Sequence, residues 1–243
     1  MGRPVLFRLS QEVFLVIAGN IAKVRARIEA AKERSGRKDD VLLVAVTKNH
    51  GADAMREAIA AGARAVGESR IQEAKGKFEL FHDAPVGWHL IGRLQTNKAK
   101  QAVRMFDIIE SVDTLHIAQA VNKEAGKIGK VQDVLAQVNL AREPQKGGVP
   151  LEALPALLRT CDRLPYVRVR GLMFVAPDYE DREKCRPLFR KMREIFDEAR
   201  ASAWETSRFD FLSMGMTHDF EIAVEEGANI VRVGTAIFGP RQY

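Results

Sequence analysis

A chain of 243 residues with 46% hydrophobic and 29% charged side chains has the balance to bury one sizeable core, and its longest early apolar run, Val13 to Ala18, is far too short to cross a bilayer. The two cysteines, Cys161 and Cys185, lie outside any CxxC or Cys/His cluster, which argues against a disulfide framework or a zinc centre and for a reducing, cytoplasmic setting. The net charge of +6 raises nucleic acid as a partner, but Lys23, Arg25, Arg27, Lys32, Arg34, Arg37 and Lys38 are interleaved with Glu29, Glu33, Asp39 and Asp40, so solvated helix faces and an anionic small-molecule site account for it better.

The first predicted element is a helix over Gln11 to Arg34, with Val13, Val16, Ile17, Ile21, Val24 and Ile28 near helical spacing and Ser35-Gly36 as its stop. Arg8 and Glu12 break the apolar stretch and no small-residue cleavage site follows, so no secretion signal is expected. Val41 to Val46 is a continuous apolar run expected of a strand covered on both faces. The spacing then predicts a helix over 52–61, a strand over 65–67, a helix over 71–81, a strand over 88–91 and a helix over 97–103. A strand over 108–112, a helix over 114–127, a strand over 131–138 and a helix over 150–161 come next. A strand over 167–173 leads to a long helix over 181–203 and a strand over 209–212. A helix capped by Thr217 and Asp219 and ending at Gly227, a strand over 230–233 and a last short element from Ile237 complete the series. Eight strand–helix alternations point to an α/β chain folded as a single (β/α)8 TIM barrel with an additional N-terminal helix. An open doubly wound sheet is disfavoured because no GxGxxG follows the first strand.

Chemistry in this architecture belongs at the C-terminal ends of the strands. Lys48 closes the first strand; a lysine there either attacks an aldehyde as a partly desolvated amine or merely marks the exit into a solvated loop. The eighth strand runs into Gly234-Thr235, where backbone amides and a hydroxyl at a helix start suit a phosphate. The seventh runs into Ser213-Met214-Gly215-Met216-Thr217, again small and hydroxyl-rich. Each is ordinary turn chemistry alone, but together, facing a lysine on the first strand, they form a phosphate cup opposite an amine. Arg232 shares a strand face with Gly234 and either addresses a cofactor or pairs with Glu68 or Glu110 inside the barrel.

Val44-Ala45-Val46-Thr47-Lys48, Gly67-Glu68, Trp88 to Lys98, Gly171-Leu172-Met173, Ser213 to Thr217 and Val231 to Gly239 resemble, in order, the motifs of the pyridoxal phosphate homeostasis protein family (the YggS/PROSC group). The resemblance runs from about Gly19 to Tyr243. It implies one barrel domain over residues 1–243, of the type found in the N-terminal domain of alanine racemase. It further implies pyridoxal 5′-phosphate (PLP) as a Schiff base on Lys48, with Ser213, Gly234 and Thr235 at the phosphate, Met214 and Gly215 assisting, and Arg232 on the pyridine nitrogen. Ser69 stands where the family has asparagine near the ring and is carried as a cofactor contact, while Asn49-His50-Gly51 replaces the family's usual residues after the lysine. The implied role is a PLP carrier or buffer in vitamin B6 homeostasis, without a clear turnover of its own and with no metal. It is expected as a monomer or weak dimer that delivers PLP to apo-enzymes, without membrane or nucleic acid.

The chain ends soon after the barrel, so the second β-domain of the racemases is not expected. His89 is read as a hydrogen-bonded interior residue before an acid or base near the ring, Asn97 and Lys98 as helix-start residues, and Lys146 as a mobile loop lysine. The rival activities are a PLP-dependent amino-acid racemase or decarboxylase and a Schiff-base aldolase acting on a phosphorylated sugar.

Overall fold

The computed structural model describes residues 4–143 and 145–240, with side chains from Val16 onward. Its elements are α1 (Pro4–Arg34), β1 (Leu42–Val46), α2 (Ala52–Ala60), β2 (Ala65–Glu68), α3 (Ile71–Phe81), β3 (Gly87–Leu90), α4 (Ala99–Met105), β4 (Ile108–Val112) and α5 (Leu115–Gly126). They continue with β5 (Gln132–Val138), α6 (Leu154–Asp162), β6 (Val167–Phe174), α7 (Arg186–Ala201), β7 (Phe211–Ser213), α8 (Phe220–Glu225), β8 (Ile230–Val233) and α9 (Thr235–Phe238). The strands pair in parallel, each with its neighbour in sequence, and β8 closes on β1. The expected barrel is present.

Alternation along the strands divides the buried side chains into two layers. Val44, Ala65 and Ile230, with Leu42 and Phe211, fill the interior on one side, and Ile108, Leu135 and Met173 fill it on the other. The intervening residues, among them Leu43, Ala45, Val66, Trp88, Leu90 and Ile109, join the larger cluster beneath the helices. This parity decides which functional side chains can meet. Residues in step with Val44 and Ile230 face the barrel axis, and those in step with Ala45 and Val66 face a helix.

The N-terminal helix has a structural task. The helix after β8, α9, is a single turn too short to cover the sheet, and α1 packs against α2, α8 and α9 in the slot so left. Ile17, Ile21, Val24, Ile28 and Ala31 recur every three or four residues and are all buried. Arg27 and Arg34 tie the same helix to Glu221 and Glu225 of α8 at 2.7 and 2.6 Å. Val16 was expected on this stripe, yet it is 58% exposed, because it falls one position off the series that begins at Ile17. Val13 lies outside the residues whose side chains are described.

Differences from the expected boundaries have local causes. Single 3-10 turns at Thr96–Lys98, Leu151–Ala153 and Arg182–Cys185 precede α4, α6 and α7, which therefore begin later than periodicity predicts. Phe209 was assigned to the seventh strand but belongs to the outer layer, ring to ring with Phe196 and Trp204, and β7 begins two residues later. Asp219 does not cap α8 with its side chain; its Oδ1 turns back to accept the Met216 N–H at 2.6 Å. The last helix starts at Thr235, two residues before Ile237. Among the described residues no helix is long and apolar enough to cross a membrane, and no cluster of metal-ligating side chains is found.

Candidate functional site

Strand register places the rim residues beside one another. Val44 and Ala45 pair with Arg232 and Val233, so the ends of β1 and β8 run together, and Lys48 leaves the barrel next to Gly234-Thr235. Lys48 lies two residues beyond Val46, in step with the inward-facing Val44, and is half-buried. Gly234 is required by this closure. A Cβ there would meet the Val46 carbonyl oxygen at 3.3 Å and the Val46 Cβ at 3.4 Å. The absence of a side chain therefore brings the start of α9 against the strand that carries Lys48. The first amides of α9 have no acceptor within their own helix, and the exposed Thr235 adds a hydroxyl at the rim.

The end of β7 forms the adjoining wall. Gly215 has φ +93°, and a Cβ would lie 2.6 Å from that of Ala223 and 2.9 Å from the Phe220 Cα, so α8 sits directly on this turn. Met214 is fully buried, its N–H spent on the Ile230 carbonyl at 3.1 Å. Burial pushes the nearby Asp219 carboxyl up, opposed by the Met216 N–H and the charge of Arg232.

Below the rim, four strands, β3, β4, β7 and β8, send polar side chains into the interior. Arg232 is 3% exposed; its Nη1 donates to the Ser213 hydroxyl and its Nη2 to the Phe174 carbonyl at 2.8 Å. Ser213 donates onward to Glu110 Oε2 at 2.6 Å, and Glu110 Oε1 lies 2.6 Å from His89 Nδ1. The guanidinium stands 3.7 Å from the same carboxylate. Burial alone would raise the Glu110 pKa, but the contact with His89, the charge of Arg232 and the Ser213 hydrogen bond outweigh it and hold the group below the usual carboxylate range. Burial draws the Arg232 pKa down against the charges of Glu110 and Asp219, yet an arginine keeps its proton in such a setting.

The expected site residues thus divide. Lys48, Gly234 and Thr235 come together at the rim, with Ser213-Met214-Gly215 as the next wall and Arg232 beneath. The Ser213 hydroxyl, expected at the rim on an anion, is fully buried and engaged with Glu110 and Arg232, so in this arrangement it belongs to the interior network. Ser69 follows β2 and is half-buried; a Cβ at Gly92 would strike its backbone at 2.3 Å, so the two loops lie in contact at the mouth. Of the two carboxylates considered for Arg232, Glu110 is the partner, because Glu68 is on the opposite strand parity and faces α3. His89 is buried and hydrogen-bonded, and Asn97 and Lys98 stand in the turn before α4, as read from the sequence. Lys146 differs: its Nζ is held by the Ala176 carbonyl at 2.9 Å and by Glu143 at 2.6 Å. Glu110 was weighed only as an ion-pair partner of Arg232 and not as a site residue, although a charge inside the apolar run Ile108-Ile109-Glu110-Ser111-Val112, in step with the inward Ile108, marks an interior carboxylate.

A primary amine and a rim of phosphate-type donors on adjoining strands, over a buried guanidinium, fit a phosphorylated aldehyde with a ring acceptor. The architecture and this donor set define a barrel of the alanine racemase N-terminal type. The family model described as alanine racemase, N-terminal domain, matches residues 20–242. A pyridoxal phosphate homeostasis protein of Aquifex aeolicus is 43% identical over 224 residues, 92% of this chain and 97% of that protein. The solved structure of PipY of Synechococcus elongatus with PLP bound superposes with a TM-score of 0.81 at 40% identity, covering 92% of this chain and all (100%) of that one. An alanine racemase of Clostridium difficile shares the fold alone, at 14% identity and a TM-score of 0.70 over 94% of this chain and 60% of its own. The chain belongs to the alanine racemase N-terminal domain family and, within it, to the pyridoxal phosphate homeostasis proteins.

Proposed function

We propose that this chain binds PLP in the barrel mouth, through a Schiff base on Lys48, and carries or buffers the coenzyme for apo-enzymes that use it. The observation that carries this reading is the convergence of Lys48 and the Gly234-Thr235 helix start on the hydrogen-bonded strands β1 and β8, above buried Arg232. A relative solved with PLP supports it. In this reading Gly234, Thr235 and the backbone at Gly215 would hold the phosphate, and Ser69 would lie beside the ring. Arg232 uses two N–H groups on Ser213 and Phe174, and a guanidinium has five, so donors remain for the pyridine nitrogen.

Bound PLP supplies an aldehyde for the amine and, in enzymes, an electron sink for carbanions. Arg232 would weaken that sink: an arginine keeps its own proton, so a hydrogen bond from it would leave the ring nitrogen unprotonated. Glu110 keeps that guanidinium in place and compensates its charge. The chain is thereby suited to hold PLP more than to turn over an amino acid. A cytoplasmic location and a monomeric or weakly dimeric state belong to the same proposal.

The test is to load the protein with PLP, remove the free coenzyme, and measure activation of a PLP-dependent apo-enzyme. Faster or more complete activation than an equal amount of free PLP supports the carrier. Rapid solvent-deuterium exchange at the α-carbon of amino acids, abolished by Lys48→Ala, would replace it with a racemase or decarboxylase.

A further inference from the structure

A second lysine, this one buried, lies beside β1 and has no part in the account above. Lys77, on α3, is 6% exposed and faces the outer side of the β1–β2 pair. Its Nζ donates to the Thr47 carbonyl at 2.8 Å, to Glu68 Oε1 at 2.8 Å and to Glu73 Oε1 at 3.1 Å. Thr47 Oγ1 donates to the same Glu68 oxygen at 2.6 Å. On the far side of Lys48, the Asn49 N–H donates to the same Glu73 oxygen that takes Lys77.

Lys48 is therefore flanked on both sides by one ionic cluster. The residue before it is bonded through carbonyl and hydroxyl, and the residue after it through its amide. Asn49 has φ +64°, a left-handed conformation that asparagine tolerates better than most residues but that still needs a partner to hold it. Glu73 supplies that partner. Glu73 and Lys77 are four residues apart on one helix, so α3 presents both as a rigid pair. Burial pushes the Glu68 carboxyl up, and the contacts with Lys77 and Thr47 oppose this.

We propose that Lys77, Glu68 and Glu73 are positioning residues for Lys48: through Thr47 and Asn49 they fix the backbone that carries the reactive amine, so that the side chain meets an aldehyde without first ordering its own loop. This rests on the Schiff-base reading of Lys48. Lys77 is not itself a nucleophile, since its three N–H groups are committed to three acceptors.

The experiment compares Glu73→Ala, Glu73→Gln and Lys77→Met with the parent chain. Imine formation with PLP is followed by stopped-flow absorbance, and affinity for pyridoxine 5′-phosphate, which lacks the aldehyde, by calorimetry. Urea unfolding of each variant reports the fold. Glu73→Ala is expected to slow imine formation about tenfold, the order that one lost anchoring hydrogen bond gives, with affinity for pyridoxine 5′-phosphate within about twofold of the parent. Glu73→Gln keeps an acceptor for the Asn49 N–H and is expected to recover most of the rate. Unchanged imine kinetics in Glu73→Ala would overturn the proposal. So would equal losses for both ligands, since that marks a general disturbance of the mouth. If Lys77→Met fails to fold, the half-exposed Glu73 pair decides alone. A parent chain that forms no imine on Lys48 defeats the functional reading instead, a separate and visible outcome.

Discussion

Replacing Glu110 with glutamine tests the interior network most sharply. Glu110 is fully buried and its two oxygens meet His89 and Ser213 at 2.6 Å each, with the Arg232 guanidinium at 3.7 Å. The amide preserves the shape, removes the charge, and points a donor at one of two partners. Arg232 is then left inside the barrel with only neutral acceptors. Breaking a buried ion pair by removing one member costs about 3–5 kcal/mol. For a chain of this size, at about 2–4 °C per kcal/mol, the melting temperature falls by about 6–20 °C. The assay is thermal unfolding of the unloaded protein, with urea unfolding as a second measure. In a double-mutant cycle, Glu110→Gln with Arg232→Met is expected to cost less than the sum of the single changes, by about 1 kcal/mol or more. A Glu110→Gln shift under about 2 °C, or strict additivity with Arg232→Met, would refute the argument that Glu110 compensates the buried cation.

Other outcomes follow from the same geometry. Gly215→Ala meets both a left-handed φ of +93° and a contact of 2.6 Å with Ala223, so it is expected to lower stability by about 2 kcal/mol or more in urea, where a compatible Gly→Ala change would raise it. A cost below about 0.5 kcal/mol would show that α8 moves freely away from the turn. Asp162 accepts the backbone N–H groups of Glu205, Thr206 and Ser207 at 2.8, 3.0 and 2.7 Å; burial raises its pKa, but these bonds win and lower it from 3.8 to about 2. Because the folded value is the lower one, its contribution is complete above the usual carboxylate range and is lost as pH falls towards about 2. Asp162→Asn should flatten the acid limb of the stability profile, and an unchanged limb would contradict this. Burial raises the Cys161 and Cys185 thiols to about 12 and about 11, so at about pH 8 a thiol reagent should label neither until the chain unfolds. Rapid labelling of the native protein would be contrary to the described packing.

The barrel was legible because most of its strands are short, largely apolar runs between turn residues, as in Leu42–Val46, Ile108–Val112 and Ile230–Val233. Strands 108–112 and 230–233 match their structural bounds. Helix starts were less legible, since the 3-10 turns before α4, α6 and α7 share the composition of the helices they precede. At the site, Lys48, Gly234 and Thr235 could be read from position at strand ends together with a family resemblance. The hydroxyl of Ser213 could not be placed, because a serine at a strand end suits a rim donor and an interior linker equally, and only its pairing with Glu110 and Arg232 separates the two. The Lys77 cluster was not found, because it joins a loop, a strand and a helix whose packing is a tertiary property. The Glu73–Lys77 spacing is common to any solvated helix face.

The central claim is a covalent bond at one amine, and borohydride reduction of the PLP-loaded chain followed by peptide mapping addresses it directly. The account predicts one pyridoxyl group per chain, carried on Lys48, with none on the buried Lys77 or on Lys146. Recovery of unmodified Lys48 from a fully reduced sample, or a label on another lysine, would contradict it.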